Sequence, residues 1–220
     1  MSYLDKYSKR MSSYGANVLE DYKESSVHLV NESFADIPSF RVVKINGVNV
    51  DSRIVQSGTQ SNRQHILFRP GANFSKGELI EVDGGTWLLS DFFISEVFPK
   101  GRIEECQHVL KWKKGQDTHL QPCALSVDIM YLEEDKFVEV PDGTIIVRTP
   151  FNSIADTIVI RDRFIFGSSS FEVVVKDDFS EISKGKGVLK LTLKRVEISD
   201  NDDVENQISE PSTSLGSRWK

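Results

Sequence analysis

The sequence predicts a mainly β protein, with an N-terminal helical arm followed by antiparallel barrel or sandwich units, one or two in tandem. Three observations predict it. Apolar residues recur at steps of three and four only in the first thirty or so positions. From residue 34 the period falls to two, the alternation of a half-buried strand. Nearly every connection is short and carries Gly, Asn or Asp, the turn chemistry of small antiparallel units.

The arm occupies residues 1–33. Tyr3, Leu4, Tyr7, Met11 and Tyr14 make one apolar stripe. Gly15 interrupts it, and a second helical segment follows with Val18, Leu19 and Tyr22, capped by Ser13 or Asn17. A stripe of this kind packs on its own sheet or docks on a neighbouring subunit. Tyrosine suits the second role, because it joins a large apolar body to a polar tip.

A first β domain is expected over 34–129. Residues 40–45 alternate up to Asn46-Gly47, a hairpin signal, and Val48 and Val50 begin the return strand. A polar loop then leads to a strand at 64–69 that Pro70-Gly71 stops. Leu79, Ile80 and Val82 rise to a bend at Asp83-Gly84-Gly85, and Trp87, Leu88 and Leu89 return. The runs 103–112 and 118–129 flank a second bend around Lys113, Lys114 and Gly115.

A second β domain, or a continuation of the same sandwich, is expected over 130–198, with the charge run Glu133-Glu134-Asp135 at the junction. Val138 and Val140 lead to a turn at Pro141-Asp142-Gly143, and Ile145–Val147 form a strand. The runs 158–166 and 171–176 make a hairpin across Gly167–Ser170, and 187–196 is the last strand. The segments 78–91 and 163–177 share a pattern of apolar run, flexible bend, aromatic, β-run and acid, as tandem related units would. Residues 199–220 are rich in acids and Ser and predict a flexible tail, with Trp219 either a docking anchor or a solvated terminal residue.

Composition excludes several function classes. The chain has 220 residues and a formal net charge of -6, against a role in coating nucleic acid. No apolar run approaches the roughly 20 residues that span a bilayer, and the first fifteen residues hold no apolar core of a secretory signal. Two Cys cannot make a disulfide framework, and a reducing compartment argues against a Cys106–Cys123 crosslink.

No catalytic, cofactor-binding or metal-binding residue is assigned. The sequence holds no G-x-S-x-G, H-E-x-x-H or P-loop pattern. Cys106, His108, His119 and Cys123 invite a zinc test. If Lys113 faces Thr118 across the bend, then His108 faces Cys123 and Trp112 faces His119. Ligands strung along such a ladder do not converge on a tetrahedral ion.

The stretch from 67 to 123 resembles the neck, or head–tail connector, proteins of tailed phages of Gram-positive hosts. The residues that carry the resemblance are Leu67-Phe68-Arg69-Pro70, Lys76-Gly77-Glu78-Leu79-Ile80 and Gly85-Thr86-Trp87-Leu88-Leu89, then Ile103–Gln107, Leu110-Lys111-Trp112 and Pro122-Cys123. Downstream, Gly187–Leu191 and Asp202–Asn206 fit the ends of such proteins. Gln107 and Glu78 depart from the pattern, where Asn and Asp are commoner.

The resemblance implies a virion structural protein without catalysis, cofactor, membrane or small-molecule substrate. Copies would form a homo-oligomeric ring that joins the portal or adaptor to the tail proteins and helps retain DNA in a central channel. Tyr3, Leu4, Tyr7, Met11, Tyr14 and Trp219 are then the subunit-interface candidates. Asp83, Gly84, Gly85, Lys113, Lys114 and Gly115 are the loop-tip contacts. Two competing readings are a carbohydrate- or receptor-binding module with Trp87, Trp112 and Phe171 on an exposed platform, and a hydrolase with a spatially assembled acid pair.

Overall fold

The computed structural model describes residues 18–56, 61–114, 117–126, 143–200 and 202–209. Helix α1 (Val18–Ser33) is followed by β1 (Phe40–Ile45), β2 (Val48–Gln56), β3 (Arg63–Phe68), β4 (Leu79–Val82), β5 (Gly85–Phe93) and β6 (Lys100–Glu105). Next come β7 (His108–Lys114), β8 (Asp117–Ser126) and β9 (Thr144–Pro150). A 3₁₀ turn (Ala155–Thr157) precedes β10 (Arg163–Phe166), β11 (Ser169–Asp177), β12 (Ile182–Ser183) and β13 (Lys186–Val196). The protein is therefore mainly β, with a helix ahead of two barrel-like sheets in tandem.

In the first sheet the strand order β1-β2-β3-β6-β5-β4 runs round a closed barrel. The second has the order β10-β11-β13-β9-β8-β7, with β12 paired to β13 off that path. By proximity along the backbone the chain divides into Met1–Phe74 with Asp91–Ile103, and Ser75–Ser90 with Glu104–Lys220.

Local chemistry sets the hairpins. Asn46 and Gly47 both take positive φ, so β1 and β2 join through the two-residue turn their right-handed twist requires, with Ile45 opposite Val48. Asp83-Gly84 does the same between β4 and β5. At β10–β11 a positive φ falls on Gly167, the first central position. Both hairpins compared in the sequence, 78–91 and 163–177, are thus tight antiparallel pairs.

In the first unit, Phe34, Val43, Ile45, Ile66, Phe68 and Ile103 are buried, and the rings of Phe68, Phe74 and Phe92 stack within 4.5–6.0 Å of one another. In the second, Leu110, Trp112, Cys123, Val147, Phe164, Val173, Leu189, Leu191 and Leu193 form one core. Alternation explains it: in β13 the odd-numbered residues from 187 to 193 are buried, while Lys190, Thr192 and Lys194 are at least partly exposed.

Residues 75–90, with β4 and most of β5, group with the second unit, where Gly77 lies against Gly187 of β13. A Cβ on Gly77 would lie 1.8 Å from the carbonyl oxygen of Gly187, so neither side chain nor longer spacing is tolerated there. Beside it, Arg148 on β9 donates to both carboxylate oxygens of the buried Glu104, at 3.0 and 3.1 Å.

Several boundaries move from their expected places. The run 103–112 is two strands in two sheets. The chain turns at Cys106-Gln107, where Cys106 N–H donates to Thr86 and Gln107 N–H to Glu105. The expected domain border at 129/130 falls inside the second sheet, since β8 pairs with β9 through Leu125–Val147. A charge run between two strands of one sheet looks the same in sequence as a linker. The run 158–166 is a strand only from Arg163. Arg161 takes positive φ, and the Asp162 carboxylate accepts from Val159 N–H. Glu133–Asp135, Val138 and Val140 lie outside the described residues.

Candidate functional site

Helix α1 ends in an arginine clamp. Its last turn carries no basic residue to meet the exposed carbonyls, so the strands supply them. Arg53 of β2 donates to the carbonyls of Phe34 and Ser33, at 2.9 and 2.8 Å. Arg69, just after β3, donates to the Asn31 carbonyl at 3.1 Å. Cations at a helix C-terminus satisfy the last carbonyls and complement the dipole.

The same guanidiniums lie over the buried Phe34 ring, with centroid distances of 4.4 and 4.8 Å. Asp51 holds Arg69 in turn, at 2.7 Å. Phe34 also meets Phe40 edge-on. One aromatic residue beyond the helix thus fixes the helix to two strands.

Another side of the helix exposes apolar side chains. Leu19 is 80% exposed, Tyr22 72% and Leu29 64%. With Ser26 and Ser33 between and after them, they lie on one stripe at alternating steps of three and four. Lys23 pairs with Glu96, which ties the helix to the loop after β5. That loop also exposes Ile94 and Phe98. Exposed apolar side chains grouped on one element mark contact surfaces more often than isolated ones do. Tyr3, Leu4, Tyr7, Met11, Tyr14 and Trp219 lie outside the described residues. Of the second helical segment expected at Val18, Leu19 and Tyr22, Leu19 and Tyr22 are exposed on the described helix, as is Leu29.

Of the expected loop tips, Asp83, Gly84, Lys113 and Lys114 are exposed and Gly85 is half-buried. Lys114 donates to the Thr157 carbonyl at 3.1 Å. Gly115 lies outside the described residues.

The register foreseen for β7–β8 is the one found: His108 faces Cys123, Trp112 faces His119 and Lys113 faces Thr118. Among the described residues no three of His, Cys, Asp and Glu gather where they could hold a metal ion. Both cysteines are free thiols. Burial, reinforced by Glu104 and Glu105, pushes the Cys106 thiol up to about 12. Burial pushes Cys123 up as well, with Cys106 adding to it.

The aromatic platform is corrected. Trp87 and Trp112 are 8% and 4% exposed. Trp112 packs in the second core against His119 and Phe164. A tryptophan in a strand of alternating pattern gives no sign in sequence of which face is covered. For an acid pair, an open cleft of about 830 Å³ at Ser168–Ser170 and Lys194–Ile198 has, among the described residues, Glu197 as its one carboxylate. Two other carboxyls are held below the usual range by turn hydrogen bonds: Asp177 by Ser180, and Asp203 by Asn206.

The tail expected to be flexible from 199 is laid down over its first part. The Asp202 side chain is fully buried and pairs with Arg163 at 2.8 Å. Asp203 and Ile208 exchange both backbone hydrogen bonds, at 2.9 Å each. Lys111 donates to the Asn206 carbonyl at 3.1 Å, and the buried Ser209 hydroxyl donates to the Arg163 carbonyl. Local composition missed this because the partners lie 39 and 95 residues away in sequence.

Residues 108–194 match the model of the YomX C-terminal domain. The match covers less than half of the chain and coincides with the second sheet, from the first residue of β7 to within two residues of the end of β13. That family is a phage-type one, and the match points to a phage protein. No curated protein and no solved structure matches the chain. Among the described residues no helix is long and apolar enough to cross a membrane.

Proposed function

We propose that the chain is a non-catalytic virion structural protein of a phage neck. Copies assemble into a ring that joins the portal or adaptor to the tail and retains the packaged DNA in its channel. The observation that carries this reading is the exposed apolar stripe of α1. Leu19, Tyr22 and Leu29 stand outward on a helix whose far end is locked to the barrel strands. A rigid helix with an exposed apolar stripe is suited to a heterologous contact, the kind that closes a ring by rotation. The phage-type match to the second sheet and the resemblance of residues 67–123 to neck proteins support the same reading.

In this assembly α1 and the segment before it pack on the neighbouring subunit, and the Asp83–Gly85 and Lys113–Lys114 tips contact the next layer or the DNA. The binding-module reading loses its platform with the burial of Trp87 and Trp112.

The test is native mass spectrometry and electron microscopy of the full chain, alone and mixed with the portal protein of the same phage. A closed ring or a portal-bound complex is expected. The triple substitution Leu19→Asp, Tyr22→Asp, Leu29→Asp should abolish it while leaving the melting temperature within a degree or two, since exposed sites change stability little. A chain that stays monomeric in both settings, or an assembly indifferent to the triple substitution, overturns the proposal.

A further inference from the structure

The second sheet ends in two strands, β7 and β10, that lie next to each other without a ladder between them in the strand order. Their side chains meet: His108 with Phe166 at 5.6 Å and Trp112 with Phe164 at 6.2 Å between ring centroids. Residues 202–209 bind both of these strands. On β10 they hold the Arg163 guanidinium through Asp202 and the Arg163 carbonyl through Ser209. On β7 they take the Lys111 ammonium through the Asn206 carbonyl. An edge strand needs a cover of this kind, because its unpaired backbone groups template further pairing.

Three properties make the cover a transferable unit. It is folded within itself, by the Asp203–Ile208 bridge and by Asn206, which donates twice to the Asp203 carboxylate. Its seat is built and specific: Arg163 donates from one nitrogen to Ser170, to the Glu197 carbonyl and to Asp202, and Ser199 N–H donates to the same Asp202 oxygen. It returns to the body through one tight turn, closed by Asp202 N–H donating to the Ser199 carbonyl. The contacts that hold it to Arg163 and Lys111 are hydrogen bonds and one ion pair, and Val204 and Ile208 are only partly buried, which places its detachment among local openings of the fold. A short hinge turn between a body and a self-folded segment is the arrangement that permits exchange between copies.

We propose that the β7–β10 seam is an acceptor site for the 202–209 segment of a second copy of this chain, so that neighbouring copies can exchange these segments. The occupant is fixed by the seat itself, which accepts a carboxylate at Arg163 and a carbonyl at Lys111. Every copy carries a segment with both. Once copies are held side by side, the exchange becomes effectively intramolecular and needs no new contact. The inference stands on these contacts and does not require the neck assignment.

The experiment uses two full-length single variants, Lys111→Cys and Asn206→Cys, mixed and treated with a short bis-maleimide. The native thiols give little background, because Cys123 is buried and the Cys106 thiol is held up to about 12. Exchange predicts a cross-linked dimer in the mixture that neither variant gives alone. That dimer should be lost when Asp202→Asn is added to the Asn206→Cys chain. A mixture that stays monomeric, while the double variant links Lys111→Cys to Asn206→Cys within one chain, overturns the proposal. A ring without this cross-link sinks the exchange and leaves the neck reading standing; a cross-linked dimer without a ring does the reverse.

Discussion

In the first sheet six strands complete a ring of backbone ladders, so each strand has a neighbour on both sides. In the second, β7 and β10 face each other across aromatic rings and a polar segment from the chain's end. Closure by ladders leaves no edge donors or acceptors to manage. Closure by side chains leaves a seam whose strength depends on whatever covers it. A sheet of the first kind opens only by losing several backbone hydrogen bonds together. A sheet of the second kind can open along one line, and that line is where exchange with another chain is possible.

The contrast can be broken in several places, and the largest effect is expected where the β4–β5 hairpin meets β13. Gly77 has φ of 85° and no room for a Cβ beside Gly187. Gly77→Ala should cost about 3–4 kcal/mol, from the left-handed backbone and the clash together, measured by urea unfolding. A loss under about 1 kcal/mol would mean the two backbones separate easily.

Next is the buried pair of Glu104 and Arg148. Arg148→Met leaves the carboxylate buried and unmatched, and should destabilise by about 3 kcal/mol. Adding Glu104→Gln should restore most of that. If the double variant is no better than the single, the pair is not coupled.

The seam itself is tested by Asp202→Asn. The global loss expected is about 2 kcal/mol, because the Arg163 guanidinium keeps its neutral partners and loses its carboxylate. Amide exchange should rise in β7, β10 and 202–209 while β1–β3 stay protected. A uniform rise throughout the chain would show that the seam does not open by itself.

A smaller effect is expected in the arginine clamp. Phe34→Leu keeps the apolar volume and removes the ring from beneath Arg53 and Arg69, and should cost about 1–2 kcal/mol. Helicity in α1 should fall first, since the same guanidiniums cap it.

The smallest is a pH effect at Cys106. The folded chain keeps on this thiol a proton that the unfolded chain loses above 9.0. Stability should be indifferent to this group below pH 9 and decline as pH rises from 9 towards 12. Cys106→Ser should make that decline shallower in alkaline unfolding curves, leaving the part that the raised Cys123 thiol contributes.

The parts of the fold legible in the sequence are those decided within a few residues. Asn46-Gly47, Asp83-Gly84 and Gly167 report their turns because the backbone there needs positive φ. The β7–β8 register follows from one tight bend plus a period of two. What could not be read is what depends on distant partners. Cys106-Gln107 carries no Gly or Pro, yet the chain changes sheet there: Cys106 still bonds to Thr86 of β5, and two residues on, His108 faces Cys123 of β8. The acidic segment after 199 has a disordered composition, and becomes ordered through Arg163 and Lys111. The exposed face of α1 was half legible: the helical period showed a stripe, and only the clamp at Phe34 shows which side stays bare.

The contact of Gly77 with Gly187 joins positions about 110 residues apart. A ribosome adding roughly 5–20 residues per second releases the first of these glycines many seconds before the second exists. Through that interval the hairpin lacks the contact that Gly77, just before β4, makes with Gly187. The β4–β5 hairpin, whose strand β5 is buried along Trp87–Ser90 in the finished protein, therefore stands exposed on that side until residue 187 has been made.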